Sequence, residues 1–197
     1  MSGPAFIGLT GGIGAGKTEA LEAFARLGAE TLSTDAVAHE LLERADVQAR
    51  LVDRWGPEVI HDGSPDRDRI AALVFSQPDE LRWLEEQLHP LVRERMASWR
   101  DALDASASLA VVEVPLLHES GMAAIFDAVV CVTAEEATRQ ARAEARGLGS
   151  LDGRSERQLS QAEKAAASTY VVENNGTLAE LSSQLGDLLP ELRAKGG

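Results

Sequence analysis

Eight consecutive residues, Gly11-Gly12-Ile13-Gly14-Ala15-Gly16-Lys17-Thr18, have the types and spacing G-x-x-x-x-G-K-[ST], the Walker A phosphate-binding loop. Its four glycines let the backbone turn tightly and aim successive N–H groups at a pyrophosphate with no Cβ in the way. The helix pattern that follows, Glu19–Leu27, adds its positive end. Lys17 reaches β- and γ-phosphates in this chemistry, and the Thr18 hydroxyl is a Mg²⁺ ligand. Lysine is scarce, with only Lys17, Lys164 and Lys195 in the chain, so a lysine at this spacing is informative. The expected ligands are therefore ATP and Mg²⁺.

Other residues could complete a phosphoryl transfer. Asp35 comes just after the second strand candidate, Glu30–Ser33, at the strand end that faces the ligand crevice of open α/β sheets. It could take the proton of an attacking hydroxyl, or it could cap the helix beginning near Ala36. Glu113 ends the run Leu109–Val112, where a Walker B carboxylate holds a Mg²⁺-bound water, and it equally suits a buried structural acid. Arg139, Arg142 and Arg146 recur along one helical face, and Arg154 and Arg157 follow a stretch with three glycines in seven residues, Gly147–Gly153. They read either as a lid over transferring phosphates, hinged at the glycines, or as a solvated face shared with Glu135, Glu136, Glu144 and Glu156. Arg67, Arg69, His89, Arg93 and Arg95 could read an anionic acceptor, with Pro90 biasing His89 toward a corner.

The elements that must position these groups alternate between strand and helix. Strand candidates are Phe6–Leu9, Glu30–Ser33, Leu109–Val114, Ala128–Val132 and Tyr170–Glu173, which indicates an α/β protein with a mainly parallel sheet. Leu27-Gly28 closes the first helix, glycine serving as its C-terminal cap. Thr177-Leu178-Ala179-Glu180 opens the last as a capping box, and Leu178, Leu181, Leu185, Leu188 and Leu189 form its core face. The gap of about 36–105 is too long for a simple crossover and is mostly helical, broken at Gly56-Pro57 and Asp62-Gly63-Ser64-Pro65. It reads as an inserted acceptor lobe, with Trp55, Trp83 and Trp99 in core positions.

Composition bounds the function. The 197 residues fit one elaborated domain, and 44% hydrophobic with 26% charged residues is ordinary for a soluble protein. A net charge of −13 argues against a nucleic-acid surface, and no run approaches the roughly 18 apolar residues of a membrane span. One cysteine, Cys131, reads as a small buried hydrophobe and excludes an internal disulfide. The start of the chain lacks signal-peptide features, so a cytoplasmic location is expected.

Taken in order, these residues resemble the dephospho-CoA kinase family, nearly end to end. The stretch Leu9–Thr18 is similar to that family's form of the loop, and Asp35-Ala36 to the second acid of its D-x-D segment. Arg67 with Ile70, Val74 and Phe75 resembles its R-x-x-L-x-x-x-[VI]-F pattern, Leu88-His89-Pro90-Leu91-Val92 its L-H-P-x-[VI], and Pro115-Leu116-Leu117 its P-L-L. Arg154, Gln158, Glu163 and Lys164 match R-x-x-x-Q and E-K, and Tyr170–Gly176 resembles the Y-V-I-[DE]-N-x-G ending. Departures are Ser33 for the first aspartate, His118 for a common aromatic, Thr169 for a frequent aspartate and a shorter glycine-rich lid.

The resemblance implies a P-loop NTPase three-layer α/β/α sandwich with a parallel five-stranded sheet, a helical acceptor lobe and an Arg-rich lid at about 139–165. It implies transfer of the ATP γ-phosphate to the ribose 3′-hydroxyl of dephospho-CoA, the last step of coenzyme A biosynthesis. Catalysis would rest on Asp35, Lys17 and Arg154, phosphate binding on Gly12–Thr18, and metal binding on Thr18. Arg142, Arg146 and Arg154 would belong to the lid, Asn175 and Gly176 to the adenine region, and Asp35, Arg67, His89, Pro115 and Leu116 to the acceptor side. A monomer or small homo-oligomer is expected. The residues alone, without the resemblance, reach a P-loop kinase of open acceptor: shikimate, gluconate or a nucleoside would also fit. A P-loop ATPase or GTPase switch is the rival class, and the absence of an N-K-x-D signature counts against the GTPase.

Overall fold

The structure, a computed structural model, describes residues 3–145 and 158–196. The chain divides into two compact units, one formed by residues 1–33 and 103–197 and the other by Thr34–Ala102.

The first unit is built on a five-stranded sheet in the order β2-β5-β1-β6-β7: β1 (Ala5–Gly11), β2 (Glu30–Ser33), β5 (Leu109–Glu113), β6 (Ala128–Thr133) and β7 (Tyr170–Glu173). All its pairings are parallel, with Leu9 level with Glu113 on one side and with Val130 on the other. The expected strands are all present, and β1 runs two residues further, to Gly11. Every residue of β1 and β5 is buried, as continuous apolar runs in a doubly covered parallel sheet require.

Alternation along β1 sorts the layers. Ala5, Ile7 and Leu9 join a core with Ala20, Ala23 and Phe24 of α1 (Lys17–Arg26) and Leu181, Leu185 and Leu192 of α8 (Leu178–Arg193). Burying each large member of this set contributes about 1.5–3 kcal/mol relative to exposure. On the opposite face, Phe6 stacks on Phe126, and a Cβ on Gly8 would meet Leu117 at 2.5 Å. α7 (Gln161–Ala166) packs against β6 and β1, and α6 (Glu136–Ala145) follows β6. Gly28, at φ 84, ends α1 in the left-handed conformation that glycine adopts freely.

The last helix opens on the Thr177–Glu180 capping box. Its core face differs by one turn from the expectation: Leu178 is 58% exposed while Leu192 is fully buried. Leu178 belongs to the first turn, and the heptad partner of Leu185 lies at Leu192 instead.

The second unit contains α2 (Thr34–Leu42), α3 (Ala45–Trp55), β3 (Ile60–His61), β4 (Ser64–Pro65), α4 (Arg67–Ser76) and α5 (Pro78–Asp101). The break at Asp62-Gly63 is a tight hairpin joining β3 to β4, both turn residues having positive φ (49° and 82°), as such hairpins favour. Two expectations fail here. His89 does not mark a corner, because α5 runs 24 residues straight through Pro90. Pro90 is exposed, while Leu84, Leu88, Val92 and Met96 bury a stripe at four-residue spacing that holds the helix across the missing N–H. The three tryptophans are half-buried, not core: Trp55 donates its indole N–H to Glu80 Oε2 at 2.8 Å and meets Trp83 edge-on at 5.1 Å. Among the described residues no helix is long and apolar enough to cross a membrane.

Candidate functional site

Between β1 and α1 the chain makes the Gly11–Gly16 turn at the carboxyl end of the central strand, where open α/β sheets bind ligands. Gly14 and Gly16 take φ 75° and 95°, which an L side chain resists. Space forbids one as well: a Cβ on Gly14 would meet the Arg139 carbonyl at 2.5 Å, and one on Gly16 would meet the Asn174 amide.

The loop carbonyls are held by side chains. Asn174, 2% exposed and just past β7, donates Nδ2–H to the Ala15 carbonyl at 2.9 Å. Its own backbone N–H donates to the Thr133 carbonyl at 2.7 Å, which ties it to the end of β6. Arg142 of α6 donates Nη1–H to the Gly14 and Ala15 carbonyls at 3.5 and 3.4 Å. Lys17 donates Nζ–H to the carbonyls of Gly11 and Gly12 at 3.2 and 3.1 Å. Within the turn the Ala15 N–H also donates to the Gly12 carbonyl at 3.2 Å, so the loop is held in shape where α1 begins, and a helix N-terminus favours an anion. Thr18 is exposed as the second residue of α1, its hydroxyl without a hydrogen bond among the described residues.

Further support comes from Gln161, which sequence reasoning passed over, and from Arg139, which it read as part of a lid or of a solvated face. Gln161 pins Ala134 from both sides, accepting from its N–H at 3.1 Å and donating to its carbonyl at 2.9 Å, and its side chain lies beside Gly12. Arg139 also reaches Gly12, and its buried Nε has no hydrogen-bond partner among the described residues. Arg139 and Arg142 are thus half-buried against the loop, not on a solvated face. The signals existed: Asn174 sits in the N-x-G ending, and Gln161 opens the helix that carries Glu163-Lys164.

Arg146, Arg154 and Arg157, with the expected glycine-rich stretch Gly147–Gly153, lie outside the described residues. Asn175 accepts the Glu135 N–H through Oδ1 at 2.7 Å, and Gly176 follows it, exposed.

Just past β5, Val114 N–H donates to the Leu9 carbonyl at 2.9 Å, and the chain then passes through Pro115 and Leu116, both half-buried. Glu113 closes β5 at 6% exposure. The pair Glu163-Lys164 divides its work. Glu163 forms a capping box with Ser160, and those hydrogen bonds hold its carboxyl below the usual range. Lys164 is 0% exposed and bonds the Pro115 carbonyl and Glu119. Ser168 donates its hydroxyl to the Lys164 carbonyl, so His118 Nε2, 3.0 Å from Ser168 Oγ, is the donor of that pair. Burial lowers the His118 imidazole and raises the fully buried Cys131 thiol, leaving a neutral ring and an inert sulfur.

Asp35, Arg67 and His89 belong to the second unit. Asp35 is the second residue of α2, exposed, with no hydrogen-bond or ion-pair partner among the described residues. It makes no helix-capping bond, because α2 starts at Thr34, two residues earlier than a capping Asp35 would need. Arg67 opens α4 and meets Glu43 at 3.5 Å. His89 is exposed on α5, and Phe75 is 70% exposed near the end of α4, while Ile70 and Val74 are buried.

This arrangement can bind a polyphosphate and stabilise charge on it, and known proteins say which kinases share it. The family profile described as dephospho-CoA kinase matches residues 5–180. A Deinococcus radiodurans dephospho-CoA kinase is 38% identical, across 96% of this chain and 93% of its own. A Thermus thermophilus crystal structure superposes at TM-score 0.80 with 34% identity, over 96% of this chain and 98% of that one. The fold is also that of a Campylobacter jejuni dephospho-CoA kinase, at TM-score 0.71 and 21% identity, covering 96% and 97%. With a family match over most of its length and relatives of this similarity spanning nearly the whole chain, the protein belongs to the dephospho-CoA kinase family.

Proposed function

We propose that this chain transfers the γ-phosphoryl group of ATP to the ribose 3′-hydroxyl of dephospho-CoA, giving ADP and CoA. The observation that carries the reading is the P-loop at the carboxyl end of β1, its carbonyls held by Lys17, Arg142 and Asn174. It occurs in a chain whose family acts on this acceptor.

In this reading the loop N–H groups from Gly12 to Thr18 receive the β- and γ-phosphates. Lys17 exchanges the carbonyls of Gly11 and Gly12 for phosphate oxygens, where its charge offsets what develops in the transition state. Arg142 braces the loop from α6, and Arg139 lends a second guanidinium beside Gly12. Arg146 and Arg154 are assigned to the transferring phosphate on resemblance. The 3′-oxygen attacks phosphorus as the bond from phosphorus to the β–γ bridging oxygen breaks. Asp35 accepts the hydroxyl proton, a role suited to an exposed carboxylate committed to no other group. Arg67, His89, Pro115 and Leu116 are assigned to the acceptor, Asn175 and Gly176 to the adenine, and Thr34–Ala102 to the acceptor lobe.

Mg²⁺ fits this site. Among the described residues no cluster of three acidic, histidine or cysteine side chains could cage a metal. Mg²⁺ does not need one, since it keeps waters and takes few protein oxygens beside substrate phosphates. The exposed Thr18 hydroxyl would hold it, and the ion would neutralise phosphate charge. A cytoplasmic monomer or small homo-oligomer completes the proposal.

The test is ADP release from Mg·ATP with dephospho-CoA, beside shikimate, adenosine, AMP and no acceptor. Turnover with dephospho-CoA alone is the expected result. Turnover with another acceptor would keep a P-loop kinase and refute the substrate, and equal turnover without acceptor would make the protein an ATPase.

A further inference from the structure

Lys164 stands out among the three lysines of the chain because it is fully buried. Its ammonium donates to the Pro115 carbonyl at 2.6 Å and lies 3.0 Å from Glu119 Oε1. Each partner bonds a further stretch. The Pro115 carbonyl also accepts the Thr10 hydroxyl at 3.4 Å, which connects it to the β1 residue preceding the P-loop. Glu119 Oε1 also accepts the Leu159 N–H at 2.9 Å, just before α7. The Lys164 side chain is therefore a hub joining the segment after β5, the end of β1 and the approach to α7.

A buried ion pair is a poor way to gain stability, because desolvation of both charges cancels much of their attraction and well-packed apolar residues do as well. What such a pair supplies is geometry. A short charge-assisted hydrogen bond fixes one carbonyl in one orientation, and here that carbonyl belongs to Pro115, at the strand end where ligands of open α/β sheets bind.

We propose that Lys164 is a positioning residue for the acceptor, holding the Pro115–Glu119 segment through the Pro115 carbonyl and the Glu119 carboxylate. The inference rests on the kinase reading above, in which Pro115 and Leu116 meet dephospho-CoA. It assigns to Lys164 an effect on acceptor binding without contact with the acceptor, and no comparable effect on ATP.

Lys164→Met alone would leave the half-buried Glu119 without its cation, and its buried Oε2 already has no hydrogen-bond partner among the described residues. The double variant Lys164→Met/Glu119→Gln removes both charges while a glutamine oxygen still accepts the Leu159 N–H. Melting temperature and both KM values are measured for wild type and the two variants. The expected result is a double variant that melts near wild type, with KM for dephospho-CoA raised about tenfold or more and KM for ATP within about twofold. Wild-type KM for the acceptor in the folded double variant would overturn the proposal, leaving Lys164 as a counter-charge for Glu119. A parallel rise in both KM values, or a double variant that does not fold, would overturn it too, by making the pair a general structural element. Wild-type protein with no turnover on dephospho-CoA would instead sink the kinase reading itself.

Discussion

In the sheet-bearing unit, polar side chains near the phosphate loop are buried or half-buried and bonded to backbone: Asn174 to Ala15, Gln161 to Ala134, Lys164 to Pro115. In the Thr34–Ala102 unit the longer-range polar bonds run between side chains at or near the surface. Arg54 forks onto Glu80 at 2.9 and 2.8 Å, Arg44 onto Asp46 at 3.0 Å twice, and Arg67 reaches Glu43 at 3.5 Å. The two kinds of bond differ in what their loss costs. A buried carbonyl stripped of its donor costs about 1–3 kcal/mol, whereas an exposed ion pair contributes little and is screened by salt. The donor machinery is thus preorganised by bonds that are expensive to break. The second unit relies on its apolar stripe and carries its reactive candidate, Asp35, unengaged on the surface.

The largest effect should come from Lys17→Ala, which removes the cation that the proposed mechanism sets beside the transferring phosphate. Turnover should fall on the order of 10³ or more, and steady-state ADP release near the wild-type rate would remove the P-loop from the mechanism. Asp35→Asn should come next, lowering kcat on the order of 10² while ATP affinity stays within about twofold. Calorimetric titration beside kinetics separates the two quantities, and a kcat within a few-fold of wild type would strip Asp35 of its acid–base role.

Asn174→Ala sharpens the contrast from the other side. It leaves the Ala15 carbonyl unbonded by its strut, so KM for ATP should rise about tenfold while KM for dephospho-CoA moves far less. Equal changes in both would mean that the strut supports the unit as a whole and not the loop.

The smallest effect belongs to Glu80→Gln, with activity expected within about twofold. Hydrogen bonds from Arg54 and Trp55 hold the Glu80 carboxyl below its ordinary value. A carboxylate with a lowered folded pKa contributes stability above its unfolded pKa and loses it as pH falls through the folded one. The wild-type advantage in melting temperature should therefore be constant near neutrality and shrink as pH drops below about 4.3. An advantage that grows in acid would contradict the assignment.

The centre of the parallel sheet was readable because β1, β5 and β6 are short, continuous apolar runs of the kind a sheet covered on both faces requires, whereas β2 and β7 are partly exposed and showed themselves by their place in the strand–helix alternation. The phosphate loop was readable because glycine and lysine are required there by geometry and charge. Struts were harder, since an asparagine bonding a carbonyl 159 positions away leaves no local pattern. Lys164 showed its rarity and its match to the E-K segment, but neither says that its ammonium is buried against the Pro115 carbonyl. His89 misled because the rule for a residue before proline is local, and the buried stripe of α5 overrides it. The tryptophans misled because their size suggests burial, while Trp55 needs a partner for its N–H and finds it in Glu80, near the surface.

The central claim is that phosphate moves from ATP to one hydroxyl of one acceptor. The most direct test supplies ATP labelled at the γ-phosphate with dephospho-CoA and locates the label in the product. The account predicts label in a 3′-phosphate on the ribose, in a product identical to CoA. Label recovered as inorganic phosphate, or on any other position of the acceptor, would contradict it.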